Sequence, residues 1–294
     1  MFPRLFPWAL AALVVSVAAA PGAEAVSPKT LRLGFAPFEN QSEVLKKAQP
    51  VVRALSRSLG MPVKPYVAGD YPGVVEAMRS GKLDVAFYSP AALVMAEKVA
   101  GARVILKSVY KGRSAYYSAI VTRTDSPIKT LSDLKGKSFA FVDPGSTSGG
   151  IYPKVMLLNA GVNPDKDFSH RIFAGGHDAA VLAVFNRKVD AAATFSNDPR
   201  GDDAPWKHIL KADAKAIRPL AFSKPIPNGA IAVSRQLDAK LVEKVKQTFM
   251  ELGQTAQGKK DLSQMYLIEQ FAPATSADYD PVREAFHKVG FSLK

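Results

Sequence analysis

The hydrophobic positions of this chain switch repeatedly between a period of two and a period of three to four, and each switch marks an element. Leu31–Phe35 alternates apolar with small or polar residues and predicts a strand. After Ala36-Pro37 a helical face follows, with Leu45, Ala48, Val52, Leu55 and Leu59 stepping three or four residues and Gly60 closing it. Pro50 falls inside this pattern, so the helix is either kinked there or starts later. Residues 63–68 read as the next strand, and Asp70-Tyr71-Pro72 opens a short helix that ends at Gly81. Residues 83–88 form an apolar run of strand length, as in a strand covered on both faces. Ser89-Pro90 then repeats the cap-plus-proline start of a helix, and residues 104–109 and 116–122 continue as strands. This alternation predicts an α/β unit with a mainly parallel sheet.

The alternation starts afresh at Asp125-Ser126-Pro127. Strands are expected at 137–142, 171–174 and 189–195, with helices at 152–159 and 179–186 between them. That is a second α/β unit of domain size. Residues 217–233 are extended in character and carry Pro219, Pro225 and Pro227, which suits a return to the first unit. Helical patterns at 239–252 and 281–289 finish the chain. The expected organisation is therefore two lobes, 26–120 with 225–294 and 121–224, joined by crossings at 115–124 and 217–233.

Composition narrows the compartment. Residues 1–25 carry Arg4, an apolar run and Ala23-Glu24-Ala25, the layout of a cleaved secretory signal peptide. The run falls short of the roughly 20 residues that span a bilayer. There is no cysteine, which rules out disulfides, a thiol nucleophile and a lipid-acceptor cysteine, so a free periplasmic protein is expected. The 39 basic and 26 acidic residues give a formal charge of +13, unchanged on removal of the leader. Such a field favours anionic ligands. Nucleic acid is not expected as the partner, because the basic residues are scattered, in runs of no more than two, with no aromatic platform among them.

The chemistry concentrates at Asp143-Pro144-Gly145-Ser146-Thr147-Ser148-Gly149-Gly150, between a strand and a helix. A helix N-terminus has backbone N–H groups without intrahelical partners and the positive end of the macrodipole, so hydroxyls there form either a simple cap or an anion site. Three hydroxyls flanked by three glycines exceed what a cap needs. Tyr88-Ser89-Pro90, Gly175-Gly176-His177-Asp178 and Phe38-Glu39-Asn40-Gln41 also end a strand and begin a helix, where open α/β sheets bind ligands. The two glycines before His177 let backbone approach a ligand closely. Ser146 or Ser148 with His177 and Asp198 supplies the ingredients of a nucleophilic triad, but the G-x-S-x-G elbow is absent. No histidine pair has metal-ligand spacing, so neither a metal nor a cofactor is expected.

At these residues the sequence resembles the phosphate-, phosphite- and phosphonate-binding proteins of bacterial ABC transporters. The carriers are residues 69–75, 84–88, Tyr116-Tyr117-Ser118, the Ser146-Thr147-Ser148-Gly149 element and Gly176-His177-Asp178-Ala179-Ala180. The resemblance implies the type II periplasmic binding-protein fold, two α/β lobes closing by a hinge, with the ligand delivered to a membrane permease; a monomer is expected. It also implies that Tyr88, Ser146, Thr147, Ser148 and His177 hold the phosphorus oxyanion. Asn197, with Asp198 beside it, falls where amine-binding members place a Glu, and Pro227-Asn228-Gly229-Ala230 replaces their acidic turn. A compact oxyanion is therefore expected to bind in preference to an aminoalkyl phosphonate. The alternatives are a receptor or sensor of the same fold for another anion, such as a sulfonate, and a hydrolase.

Overall fold

In the computed structural model, residues 27–290 are described; the expected signal peptide lies outside them. The first unit runs β1 (Leu31–Phe35), α1 (Gln41–Leu59), β2 (Val63–Val67), α2 (Tyr71–Arg79), β3 (Val85–Tyr88), α3 (Pro90–Ala100) and β4 (Arg103–Val109). The second runs β5 (Ala115–Arg123), β6 (Ser138–Phe141), α4 (Tyr152–Asn159), β7 (His170–Phe173), α5 (His177–Phe185), β8 (Ala191–Ser196), α6 (Pro205–Leu210), β9 (Ile217–Phe222) and β10 (Ile226–Pro227). The chain then returns as β11 (Ala230–Val233), α7 (Ala239–Leu252), α8 (Ala256–Tyr266), β12 (Gln270–Pro273) and α9 (Asp280–Lys288).

Two six-stranded sheets result. The first has the order β12-β4-β11-β3-β1-β2; the second has β10-β5-β8-β6-β7, with β9 also paired to β5. Each is built alike. A parallel trio (β2-β1-β3, β7-β6-β8) is flanked by an antiparallel strand at one of the crossings, β11 in the first sheet and β5 in the second. The sheets are therefore mixed rather than mainly parallel. Helix-to-strand alternation reveals neighbours along the chain but not the direction of a strand that arrives from the other unit. Because β5 and β10 pair in the second sheet, the chain changes sheets at residues 110–114 and 228–229. The divisions expected at 120/121 and 224/225 lie a few residues away, and most of the crossing expected at 115–124 is strand β5 of the second sheet.

Helix α1 starts at the expected place and runs through Pro50, with the Asn40 side chain accepting from the Ser42 N–H at 2.9 Å. A later start is thus excluded. Its buried face is Val44, Ala48, Val51, Val52, Leu55 and Leu59; Leu45 points outward. Helices α6 and α8 and strand β12 had no counterpart in the sequence reading. Among the described residues no helix is long and apolar enough to cross a membrane.

The parallel trios decide where a ligand can sit. Helices α1, α2 and α3 begin at the carboxyl ends of β1, β2 and β3, and α4, α5 and α6 follow β6, β7 and β8. Both sets of helix N-termini meet between the sheets. Ile151 and Tyr152 of the second unit pack into the core formed by α2, α3 and α9 of the first, and the Tyr152 hydroxyl donates to Pro281 O at 3.2 Å.

Candidate functional site

Residues 146–148 do not start an α-helix directly. Thr147–Ile151 forms one π-helical turn before α4, widening the first turn and bunching its hydroxyls. The glycines are sterically required. A Cβ on Gly149 would lie 2.3 Å from Val142 Cγ2, and one on Gly150 would lie 2.2 Å from Asp143 O. Asp143 sets the turn, its carboxylate accepting from Gly145 N–H at 2.7 Å and from Tyr71 N–H at 3.4 Å. Burial pushes the Asp143 carboxyl up from its ordinary value.

The three hydroxyls have different duties. Ser146 Oγ accepts from Gly149 N–H at 3.1 Å, the cap expected of it. Thr147 Oγ1 accepts from Ala91 N–H at 2.8 Å, tying the turn to the N-terminus of α3 in the other unit. Ser89 caps that helix, accepting from Ala92 N–H at 3.2 Å and donating to Gly145 O at 3.2 Å. Ser148 presents its carbonyl to Ser118 Oγ at 2.7 Å. All three residues are buried.

His177 is the first residue of α5, and its N–H donates across the interface to Phe38 O at 3.3 Å. Its ring stands edge-on to Phe195 with centroids 4.9 Å apart, and Nδ1 lies 3.1 Å from Thr194 Oγ1. Burial pushes the imidazole down to about 3, so it is neutral at physiological pH. When the Thr194 hydroxyl donates to Nδ1, the proton of the neutral ring is on Nε2, which is then free to donate.

Two phenols complete the arrangement. Tyr71 is wholly buried in the first turn of α2 and faces the Ser146 hydroxyl, but its own hydroxyl completes no hydrogen bond among the described residues. Burial, then the nearby Asp143 carboxylate, pushes its pKa far up. Tyr116 on β5 stands beside the Ser148 and Thr147 hydroxyls, and burial likewise raises its pKa. Both therefore remain O–H donors. Neither was assigned a role from sequence, although both lie in motifs that carried the resemblance.

These groups line one cavity of about 380 Å³ between the units, shared by Tyr88 and Asn197. Tyr88 is buried there, with its hydroxyl already turned to Val74 O at 3.4 Å. Asn197 is braced against Asp203, through its backbone N–H at 2.8 Å and Nδ2 at 3.3 Å. Asp198 departs from the expectation, since it lines a separate, smaller recess. Its carboxylate accepts from Arg200 N–H at 2.8 Å and Asp203 N–H at 2.7 Å. Burial pushes its pKa up, but these loop N–H groups outweigh that and hold it below the usual range. Asp198 shapes the loop. Lys47 is the only lysine or arginine lining the cavity among the described residues, and Glu39 holds it at 2.6 Å. The cradle is thus built from neutral donors.

An α/β pair of sheets with converging helix N-termini and a neutral-donor cradle between them defines a solute-binding protein of the periplasmic type. Residues 33–279 match the family of periplasmic substrate-binding proteins of phosphonate ABC transporters, and the chain belongs to that family. It is 34% identical over 284 residues to the phosphate-import protein PhnD of Mycolicibacterium smegmatis, covering 90% of this chain and 87% of the relative. It is 30% identical over 244 residues to the phosphonates-binding periplasmic protein of Escherichia coli K12, covering 81% and 70%. In structure it is similar to a binding-protein component of an ABC phosphonate transporter from Pseudomonas aeruginosa. There the TM-score is 0.80 at 25% identity, covering 89% of this chain and 87% of the other.

Proposed function

We propose that the cavity captures a phosphorus oxyanion (phosphate, phosphite or a small phosphonate) through the hydroxyls of Tyr71, Tyr116, Ser146, Thr147 and Ser148 and the imidazole of His177. The observation that carries this reading is the Tyr71 hydroxyl, buried without a protein partner where the other donors converge. A buried, unsatisfied O–H costs about 1–3 kcal/mol, a debt that an anion bound there removes. Each hydrogen bond to a charged group contributes about 1.5–3 kcal/mol net. Roughly five of them supply the ~8 kcal/mol of a micromolar complex after ordering costs. No salt-bridging arginine is needed.

The chain acts by stoichiometric binding rather than turnover. His177 is partnered by Thr194 rather than by Ser146 or Ser148, and Asp198 is occupied with loop N–H groups, so these residues are not arranged as a Ser-His-Asp triad. The protein is exported to the periplasm, works as a monomer and hands its ligand to the permease of an ABC importer.

Thermal denaturation of the purified protein with phosphate, phosphite, methylphosphonate, sulfate and an alkanesulfonate tests this directly. A ligand at a hundred times its Kd raises stability by about 2.7 kcal/mol, so the phosphorus anions are expected to raise Tm. Phosphate and phosphonate esters incubated with the protein should release no product. Stabilisation by the sulfur anions alone, or ester turnover, contradicts the proposal.

A further inference from the structure

The cradle fills only part of the cavity. A volume of about 380 Å³ lies in the roughly 300–1,000 Å³ range of pockets for organic ligands. A five-atom oxyanion takes up far less, and Asn228, 8% exposed, lines the same cavity.

Asn228 lies at the second chain crossing. Its Nδ2 donates to Ser108 O and to Arg113 O, both at 3.0 Å. With two carbonyls on that side, the amide orientation is forced, because an oxygen there would meet two acceptors. Among the described residues its Oδ1 accepts no hydrogen bond, and it is not sealed off. It is therefore an acceptor without a donor, on a buried side chain in the wall of the cavity. Its place along the sheet is also fixed. Ile226 pairs with Tyr116, Pro227 with Ala115, and Asn228 N–H donates to Ser114 O at 2.9 Å. Asn228 thus stands two strand residues from Tyr116, about 7 Å along β5 and on the same side. A P–C–C–O arm plus one hydrogen bond spans a similar distance from an oxyanion held by Tyr116.

We infer that Asn228 Oδ1 reads the substituent of the ligand, and that the site takes a phosphonate whose short chain ends in a neutral hydrogen-bond donor, a hydroxyl above all. This rests on the oxyanion reading of the same cavity. An ammonium in that place finds no free carboxylate beside it among the described residues. Glu39 is held by Lys47 at 2.6 Å, and Asp203, behind Asn197, is held by Lys111 at 2.7 Å. Asp178 lies at the cradle end, near enough to act on Tyr71. A buried cation without such a partner is strongly disfavoured.

Calorimetric titration of the purified protein with methylphosphonate, ethylphosphonate, 2-hydroxyethylphosphonate and 2-aminoethylphosphonate tests the inference. The hydroxyl compound should bind about tenfold tighter than ethylphosphonate, and the amine more weakly than either. In Asn228→Ala the hydroxyl's advantage should shrink to within twofold, while methylphosphonate still binds. If the variant does not fold, the wild-type comparison decides alone. A hydroxyl compound no better than ethylphosphonate, or an advantage that survives in Asn228→Ala, overturns the role of Asn228 and leaves the oxyanion site standing. Failure of methylphosphonate and every homologue to bind overturns both.

Discussion

His177 is the residue whose chemistry is most altered by its surroundings. Burial holds its imidazole neutral, pushed down to about 3, whereas in an unfolded chain it titrates near 6.5. Folding below pH 6.5 must therefore expel a proton. The associated stability is fully present above about pH 6.5 and is lost as pH falls from there towards 3. Going from pH 7 to 5 should remove on the order of 2 kcal/mol from the ligand-free protein, and His177→Gln should lose measurably less. Urea unfolding at the two pH values checks this; an equal loss in both proteins would contradict the assignment. Residue by residue, the sequence reveals hydroxyls and glycines better than it reveals phenols. Ser146, Thr147, Ser148 and His177 are legible because they cluster at strand-to-helix junctions. Tyr88 is equally near such a junction, yet its hydroxyl turns to Val74 O at 3.4 Å. Tyr71 and Tyr116 sit on elements far apart in the chain, and only the apposition of the two sheets brings them to one cradle. Asp198 misleads for the opposite reason. Its neighbourhood on the chain is right, but five residues of loop consume its carboxylate.

The cradle depends most on the turn between β6 and α4. Gly149 stands against Val142, with no room for even a methyl group. Gly149→Ala is expected to lower stability by about 1–3 kcal/mol, the usual cost of overpacking. It should also weaken oxyanion binding, because the displaced turn carries Ser146, Thr147 and Ser148. Chemical denaturation and titration of the variant measure both effects. Wild-type stability and affinity together would mean that the turn yields freely. Element starts are the most legible features of the chain: Asn40, Asp70, Ser89 and Ser146 all cap in the structure as side-chain acceptors. Helix α8 is less legible because its buried face is only Gly258, Leu262 and Met265. Strand β12 is four residues long and includes Pro273.

For the whole molecule, the two units are linked by two crossings at 110–114 and 228–229, the arrangement of a hinge. The contacts between the units in this structure combine the packing of Ile151 and Tyr152 against α2, α3 and α9 with hydrogen bonds around the cavity. Thr147 Oγ1 meets Ala91 N–H at 2.8 Å, and Lys111 and Tyr110 of the first crossing reach Asp203 Oδ2 at 2.7 and 2.8 Å. Such polar contacts break readily in water. The ligand-free protein is expected to sample an open form and to contract when an oxyanion bridges α2 and β5 to the turn after β6. Small-angle scattering should therefore give a smaller radius of gyration at saturating methylphosphonate; an unchanged radius would count against closure. That two α/β units exist is plain from the restart of alternation at 125–127. The exact crossings are not, because β5 and β11 each belong to the sheet on the far side of a link only a few residues long.

The most direct measurement is a calorimetric titration of methylphosphonate into the wild-type protein and into a Tyr71→Phe, Tyr116→Phe double variant. The substitutions keep both rings in place and remove only the two O–H donors. The wild type should bind one equivalent with a Kd in the micromolar range. Losing two hydrogen bonds worth about 1.5–3 kcal/mol each should weaken the double variant at least a hundredfold. No heat of binding in the wild type, or an unchanged Kd in the variant, would contradict the assignment of this cavity as the oxyanion site.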